Sequence, residues 1–259
     1  MSKYFESYIR IAPFSHSMWR ANEANLISAV PIEKPLLDIG CGFGEFGGVF
    51  FNTNVEVGID ISQRDLDIAK GKKLFDKLIL ADATNLPFED GTFASCISIS
   101  TLEHIKDSKK VICEAYRVLR DGGKFIFTVP TSDINNHLVG AKLFNKLGLQ
   151  QLADKYTRMY HKVFMHETIE EKNTWIQWVK DAGFKEITTA DTMSAEHVRI
   201  FELFLLPAFP SQILRKLTGN RHIINFPLRT ELLTKLYKSL NERNEIKMNS
   251  SNILIVASR

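Results

Sequence analysis

Cysteine is scarce in this 259-residue chain: Cys41, Cys96 and Cys113 are the only three, with no C-x-x-C spacing and no histidine at finger spacing. That excludes a disulfide framework and a zinc knuckle, and a reducing, cytoplasmic setting is expected. Long apolar runs are missing too. The most apolar stretch, 200–209, contains Glu202 and Pro207 and falls far short of the roughly 20 residues a spanning helix needs. Residues 1–10 mix Lys3, Glu6 and Arg10 with aromatics and have no signal-peptide core, so secretion is not expected. No repeat or low-complexity tract occurs. Neither charge sign dominates, since the net charge is only +3.

What is present is the balance of a folded protein, 44% hydrophobic and 24% charged. At about 150 residues per domain the length suits one α/β domain with an elaboration. The charge is placed unevenly: residues 209–247 hold eight Lys/Arg against three acids, and the rest holds 25 against 27. That segment either attracts an anionic partner or forms a solvated helical face.

Residues 1–33 have an aromatic-rich helical pattern and are expected to form an N-terminal helical cap. From Pro35 the pattern changes to short apolar runs at 36–39, 55–59, 78–80, 96–99 and 124–129, separated by amphipathic stretches at 46–51, 63–72 and 108–119. Continuous apolar strands alternating with helices predict βαβ units and a parallel sheet. A helical stretch to about Tyr160 follows, then a stronger helix over 167–182 closed by Gly183. Two last strands are expected at 185–189 and 253–257. The 190–250 segment between them is too apolar for a linker and is read as a helical, lid-like insertion in a core spanning 34–259.

The strongest motif is Leu36-Leu37-Asp38-Ile39-Gly40-Cys41-Gly42-Phe43-Gly44, an apolar strand running into three glycines spaced by two. Glycine permits a sharp turn and lets a ligand approach main-chain N–H groups. Sixteen residues on, Asp60 ends the second strand where a carboxylate meets ribose hydroxyls. These two features fit NAD or another adenosine cofactor. A dinucleotide fingerprint in register with the strand needs glycine at position 45, which is Glu45, and the frame Gly42-Gly44-Gly47 begins two residues late. A third feature, Ala81-Asp82-Ala83 after the third strand, offers an acceptor and an amide for an adenine edge.

Taken with 93–105 and Val118-Leu119-Arg120-Asp121-Gly122-Gly123, this series resembles the successive motifs of class I S-adenosylmethionine-dependent methyltransferases, in particular their ubiquinone/menaquinone methyltransferase-like small-molecule branch. The resemblance covers about residues 34–130. It implies a Rossmann-like seven-stranded, mostly parallel sheet of order 3-2-1-4-5-7-6 with strand 7 antiparallel and helices on both faces. It also implies S-adenosylmethionine as cofactor, S-adenosylhomocysteine as product, and no metal. By this resemblance Asp38, Gly40, Cys41, Gly42 and Gly44 line the methionine moiety, Asp60 and Ile61 hold the ribose, Asp82 and Ala83 hold the adenine, and Ser98 sits beside the donor. Cys41 is read as packing, because methyl transfer needs no covalent enzyme intermediate.

The expected chemistry is an in-line displacement that needs alignment, exclusion of water and, for a hydroxyl acceptor, removal of a proton. His104, after the fourth strand, is the candidate general base; the alternative is a helix-start histidine satisfied locally. The run 160–166 resembles a segment where a histidine reaches the acceptor pocket, which makes His161 a second candidate. A metal role for His161 with His166 is disfavoured, because five residues apart on a helix they would lie on different faces. His16, Trp19 and Arg20 are candidate acceptor contacts in the cap. Ser98-Ile99-Ser100-Thr101 stands where enzymes acting on nucleic-acid amines carry an Asp/Asn-Pro-Pro-aromatic run, so a small-molecule acceptor is expected and not a base. Apolar residues beside Arg215 and Lys216 suggest a hydrophobic or lipid-linked acceptor, with peripheral membrane contact through 200–217. An NAD-dependent oxidoreductase and a non-catalytic donor-binding protein are the alternatives.

Overall fold

The computed structural model describes residues 2–205, 208, 227–243 and 251–259. In chain order the elements are α1 Ser2–Ile9, α2 Phe14–Ile27, β1 Leu36–Ile39, α3 Glu45–Phe50, β2 Val55–Asp60, α4 Gln63–Lys70, β3 Phe75–Leu80, β4 Phe93–Ile99, α5 Ser108–Val118, β5 Leu119–Pro130, α6 Val139–Lys146, α7 Gln150–Val163, α8 Lys172–Asp181, β6 Lys185–Asp191, α9 Ala195–Leu203, α10 Pro227–Arg243 and β7 Asn252–Ser258. The chain forms two compact units, one of Ala29–Ser132, His161–Ala190 and Asn252–Arg259, the other of Met1–Ser28, Asp133–Tyr160 and Asp191–Ser251.

The first unit is built on a seven-stranded sheet of order β3-β2-β1-β4-β5-β7-β6, the order that the family resemblance implies. Strands β1 to β5 pair in parallel, with Leu37 opposite Val57 on one side and Cys96 on the other. Strand β7 runs antiparallel to β5, with Ile126 opposite Val256. The central strands β1 and β4 are buried along their whole length, which requires cover on both faces and explains their mainly apolar sequences, in which Asp38, Ser95 and Ser98 are buried too. At the edge, β3 exposes the consecutive Asp76 and Lys77 and half-buries Phe75, Leu78 and Ile79. One core joins the sheet to its helices through Leu37, Ile59, Val111, Phe127 and Trp175.

The second unit is helical. Phe5 of α1 stacks on Tyr237 of α10 with ring centroids 4.2 Å apart, and the Tyr237 hydroxyl donates to Asn22 Oδ1 at 2.8 Å while accepting from Asn25 Nδ2 at 3.1 Å. Phe201 packs on Trp19 and Phe204 on Phe14. These two aromatics of the expected apolar lid thus serve the unit's own core, whereas residues 206, 207 and 209–217, with Arg215 and Lys216, lie outside the described residues. Residues 133–160, read from the sequence as core, join this helical unit. Among the described residues no helix is long and apolar enough to cross a membrane.

Candidate functional site

The glycine turn lies at the carboxyl end of β1, where parallel sheets of this kind hold their ligands. Gly40, Gly42 and Gly44 all have positive φ, at 74°, 52° and 71°, and the Gly40 and Cys41 amides both donate to the Ile59 carbonyl at 2.9 Å. A Cβ on Gly40 would stand 2.1 Å from Thr101 Cγ2, and the Thr101 hydroxyl donates to the Gly40 carbonyl at 3.2 Å. The turn after β4 is therefore seated directly on the glycine turn. A Cβ on Gly42 would meet nothing within 4 Å among the described residues. The main chain there is open to an approaching group.

Asp60, at the end of β2, uses one carboxylate oxygen to accept from the Gly42 amide at 2.8 Å and the other to accept from the Ser62 amide at 2.9 Å. Each oxygen keeps a second lone pair. Beside it Ile61 is 76% exposed, an apolar surface that no core requirement explains. Asp82 Oδ1 accepts from the Thr84 amide and hydroxyl, both at 2.8 Å, and these bonds hold its carboxyl below the usual range. Asp82 is exposed and Ala83 is buried. The following segment is tied down by Arg117 of α5, which donates to the Leu86 and Phe88 carbonyls at 3.0 and 2.7 Å. Sequence reasoning missed Thr101, Thr84 and Arg117. Only the dipeptide spacing Asp82-x-Thr84, typical of a side-chain-closed turn, could have signalled one of them.

Two residues of the expected set are turned inward. Asp38 is buried at the root of the glycine turn. Ser98 is fully buried and spends its hydroxyl on the Ile39 carbonyl at 2.9 Å, so it braces β4 against β1 and presents no surface of its own. For Cys41, burial first and then the Asp38 and Asp60 charges push the thiol pKa far up. A thiolate nucleophile is disfavoured there.

After β4, Leu102–His104 makes a single tight turn. The Glu103 carbonyl accepts from the Glu167 and Thr168 amides at 2.8 and 3.1 Å, which draws the segment after α7 onto this turn. His104 Nδ1 lies 3.0 Å from the Met165 carbonyl. A carbonyl can only accept, so Nδ1 carries the proton and Nε2 is left as the basic nitrogen. His161 and His166 are not on separate faces, as the sequence reading expects. Helix α7 ends at Val163, Met165 takes φ +54°, and the reversed chain brings the His166 amide to the His161 carbonyl at 2.9 Å. Their Nδ1 atoms lie 2.9 Å apart, and the His104 and His166 ring centroids 5.7 Å. Burial lowers the pKa of His161, and burial followed by the neighbouring histidines lowers that of His166 to about 3. His161 and His166 form a largely neutral pair beside His104. Among the described residues no group of three or more His, Cys, Asp or Glu is arranged to hold a metal ion. In the cap, Trp19 Nε1 and Arg20 both donate to Glu23.

Residues 37–127, which contain the glycine turn, Asp60, Asp82 and the turn after β4, match the family model of the methyltransferase domain. This stretch is similar to methyltransferase domains. An uncharacterized methyltransferase of Mycobacterium sp. (strain KMS) is 30% identical to this chain over 146 residues, 55% of this chain and 56% of that protein. The chain thus spans about half the length of the mycobacterial relatives that it matches. The demethylmenaquinone methyltransferase of Renibacterium salmoninarum is 25% identical over 178 residues, 66% of this chain and 74% of its own. Among solved structures, an S-adenosylmethionine-dependent methyltransferase from Thermotoga maritima superposes with a TM-score of 0.55 at 15% identity, covering 94% of this chain and 90% of that one. At that identity the likeness speaks for the fold alone.

Proposed function

We propose that this chain moves a methyl group from S-adenosylmethionine to an oxygen or carbon atom of a small, hydrophobic biosynthetic intermediate in the cytoplasm, releasing S-adenosylhomocysteine. The observation that carries this reading is the open main chain at Gly42, clamped by Asp60 at the carboxyl end of β1. When bound, the donor supplies an electrophilic methyl on a sulfonium. Asp38, Gly40, Cys41, Gly42 and Gly44 form the wall along its methionine part, with Asp38 and Cys41 acting from behind the turn. Asp60 serves twice, holding the turn and offering its remaining lone pairs to ribose hydroxyls, while Ile61 covers the ribose and its base. Asp82 accepts from the adenine amine and the Ala83 amide donates to the ring.

His104 takes the acceptor's proton at Nε2, with its tautomer set by Met165. His161, neutral and hydrogen-bonded to His166, borders the acceptor side of the same turn. The Renibacterium relative, named for action on demethylmenaquinone, supports a small-molecule acceptor. Thermal unfolding with S-adenosylhomocysteine, S-adenosylmethionine and NAD in parallel tests the donor assignment, since a ligand at about 100 times its dissociation constant stabilises a fold by roughly 2.7 kcal/mol. A shift with the two sulfur ligands is expected, and a shift with NAD alone overturns the reading. Asp60→Ala is expected to weaken S-adenosylhomocysteine binding by roughly ten- to a hundredfold, the worth of charge-assisted hydrogen bonds. Unchanged affinity by calorimetry overturns the ribose role.

A further inference from the structure

Helices α6 and α7 meet in a tight turn whose shape is fixed. Gly148, at φ +73°, sends its amide to the Asn145 carbonyl at 3.0 Å while the Leu149 amide reaches the Phe144 carbonyl at 2.9 Å. This paired closure normally tucks the residue after the glycine against the helix. Here the turn instead carries four large apolar side chains outward: Leu143, Leu147, Leu149 and Leu152 are 55%, 63%, 43% and 43% exposed. Single exposed leucines need no explanation, but four within ten residues on a rigid turn do. Around them stand Lys142, Lys146, Lys155 and Arg158, against Asp154 as the sole acid in 139–160.

We propose that the α6–α7 tip docks on an anionic lipid surface, with the leucines entering the boundary between headgroups and acyl chains and the four cations resting on lipid phosphates. The charge decides between occupants. A second copy of this chain would bring like-charged tips together, and a nucleic acid would satisfy the cations but leave four leucines facing a polar backbone. An anionic bilayer meets both demands. The proposal does not rest on methyl transfer, and its failure would leave that reading standing.

The test is co-sedimentation of the full chain with vesicles of phosphatidylcholine alone or containing about one-third phosphatidylglycerol at ~0.1 M salt. Binding to the anionic vesicles is expected, at least roughly tenfold weaker for Leu147→Ser/Leu149→Ser and for Lys146→Glu/Lys155→Glu, with melting temperatures unchanged because these side chains are exposed. As a readout independent of the variants' affinity, Leu147→Trp should gain blue-shifted emission on the same vesicles. No binding of the full chain, binding by both double variants as strong as that of the native chain, an unshifted emission spectrum for the Leu147→Trp variant, or a solution dimer broken by the leucine substitutions would each overturn it.

Discussion

A single methyl group decides whether the glycine turn can form. Gly40→Ala carries two penalties: a positive φ that costs an L-residue roughly 1–2 kcal/mol, and a Cβ placed 2.1 Å from Thr101 Cγ2. A total destabilisation of about 2–4 kcal/mol is expected from urea unfolding. Thr101→Ala in the same chain should return the part due to the threonine branch and leave the φ cost with a residual Cβ contact, because the Thr101 Cβ itself stands 2.9 Å away. Additive losses would show that the contact does not set the turn. At His104 the expectation separates binding from turnover. His104→Ala leaves donor affinity by calorimetry nearly unchanged and lowers turnover by roughly 10²–10⁴ if Nε2 is the base. Full turnover would return His104 to the local structural role set by its bond to Met165.

Elements were legible where the sequence itself carries the reason for them. Strand β1 is found at the bounds expected from its apolar run, and β5 and β7 contain theirs, because strand segments covered on both faces are mainly apolar. Edge strand β3 begins at Phe75, three residues before its expected start, since Asp76 and Lys77 hide its pattern. Helix α8 starts at Lys172, not at 167, because Glu167 and Thr168 are spent on the Glu103 carbonyl. The donor side was readable from glycines and carboxylates close in sequence. The histidine cluster was not, because it depends on one left-handed residue, Met165. Helix α6 shows the same limit. Its first two amides, Val139 and Gly140, donate to Glu202 of α9 at 2.5 and 3.0 Å, and the Tyr156 hydroxyl donates to the same carboxylate at 2.5 Å. A cap contributed from some 60 residues away leaves no local signature. Glu202→Ala would orphan three donors and remove a negative charge from a helix N-terminus, so a loss of about 2–4 kcal/mol and faster amide exchange across α6 are expected. Exchange unchanged at Val139 and Gly140 would mean that water caps the helix equally well.

For the whole molecule, acid is the informative perturbant, because each compact unit carries a neutral histidine, half-buried His166 in one and buried His197 in the other. His166 in the sheet-based unit is lowered to about 3, by burial first, and His197 in the helical unit to about 4, also by burial. An unfolded histidine titrates near 6.5. As pH falls below that value the unfolded chain binds protons that these folded sites refuse, so stability is present above about pH 6.5 and is lost progressively down to pH 3–4, at a slope approaching about 1.4 kcal/mol per pH unit for each fully shifted group. His161 and His137 shift in the same direction through burial and steepen the loss. Carboxylates such as Glu114 and Asp82 have folded pKa values below their ordinary ones, and their contribution fades only at still lower pH, so the interval from pH 6.5 to 5 isolates the histidines. Urea midpoints across that interval should fall in the native chain and fall less in His166→Gln and in His197→Gln. If the units unfold in separate transitions, each substitution should flatten the pH dependence of its own unit alone. A native midpoint that does not move between pH 6.5 and 5 would mean that both histidines become protonated within the folded protein, and the neutral cluster beside His104 would lose its physical basis.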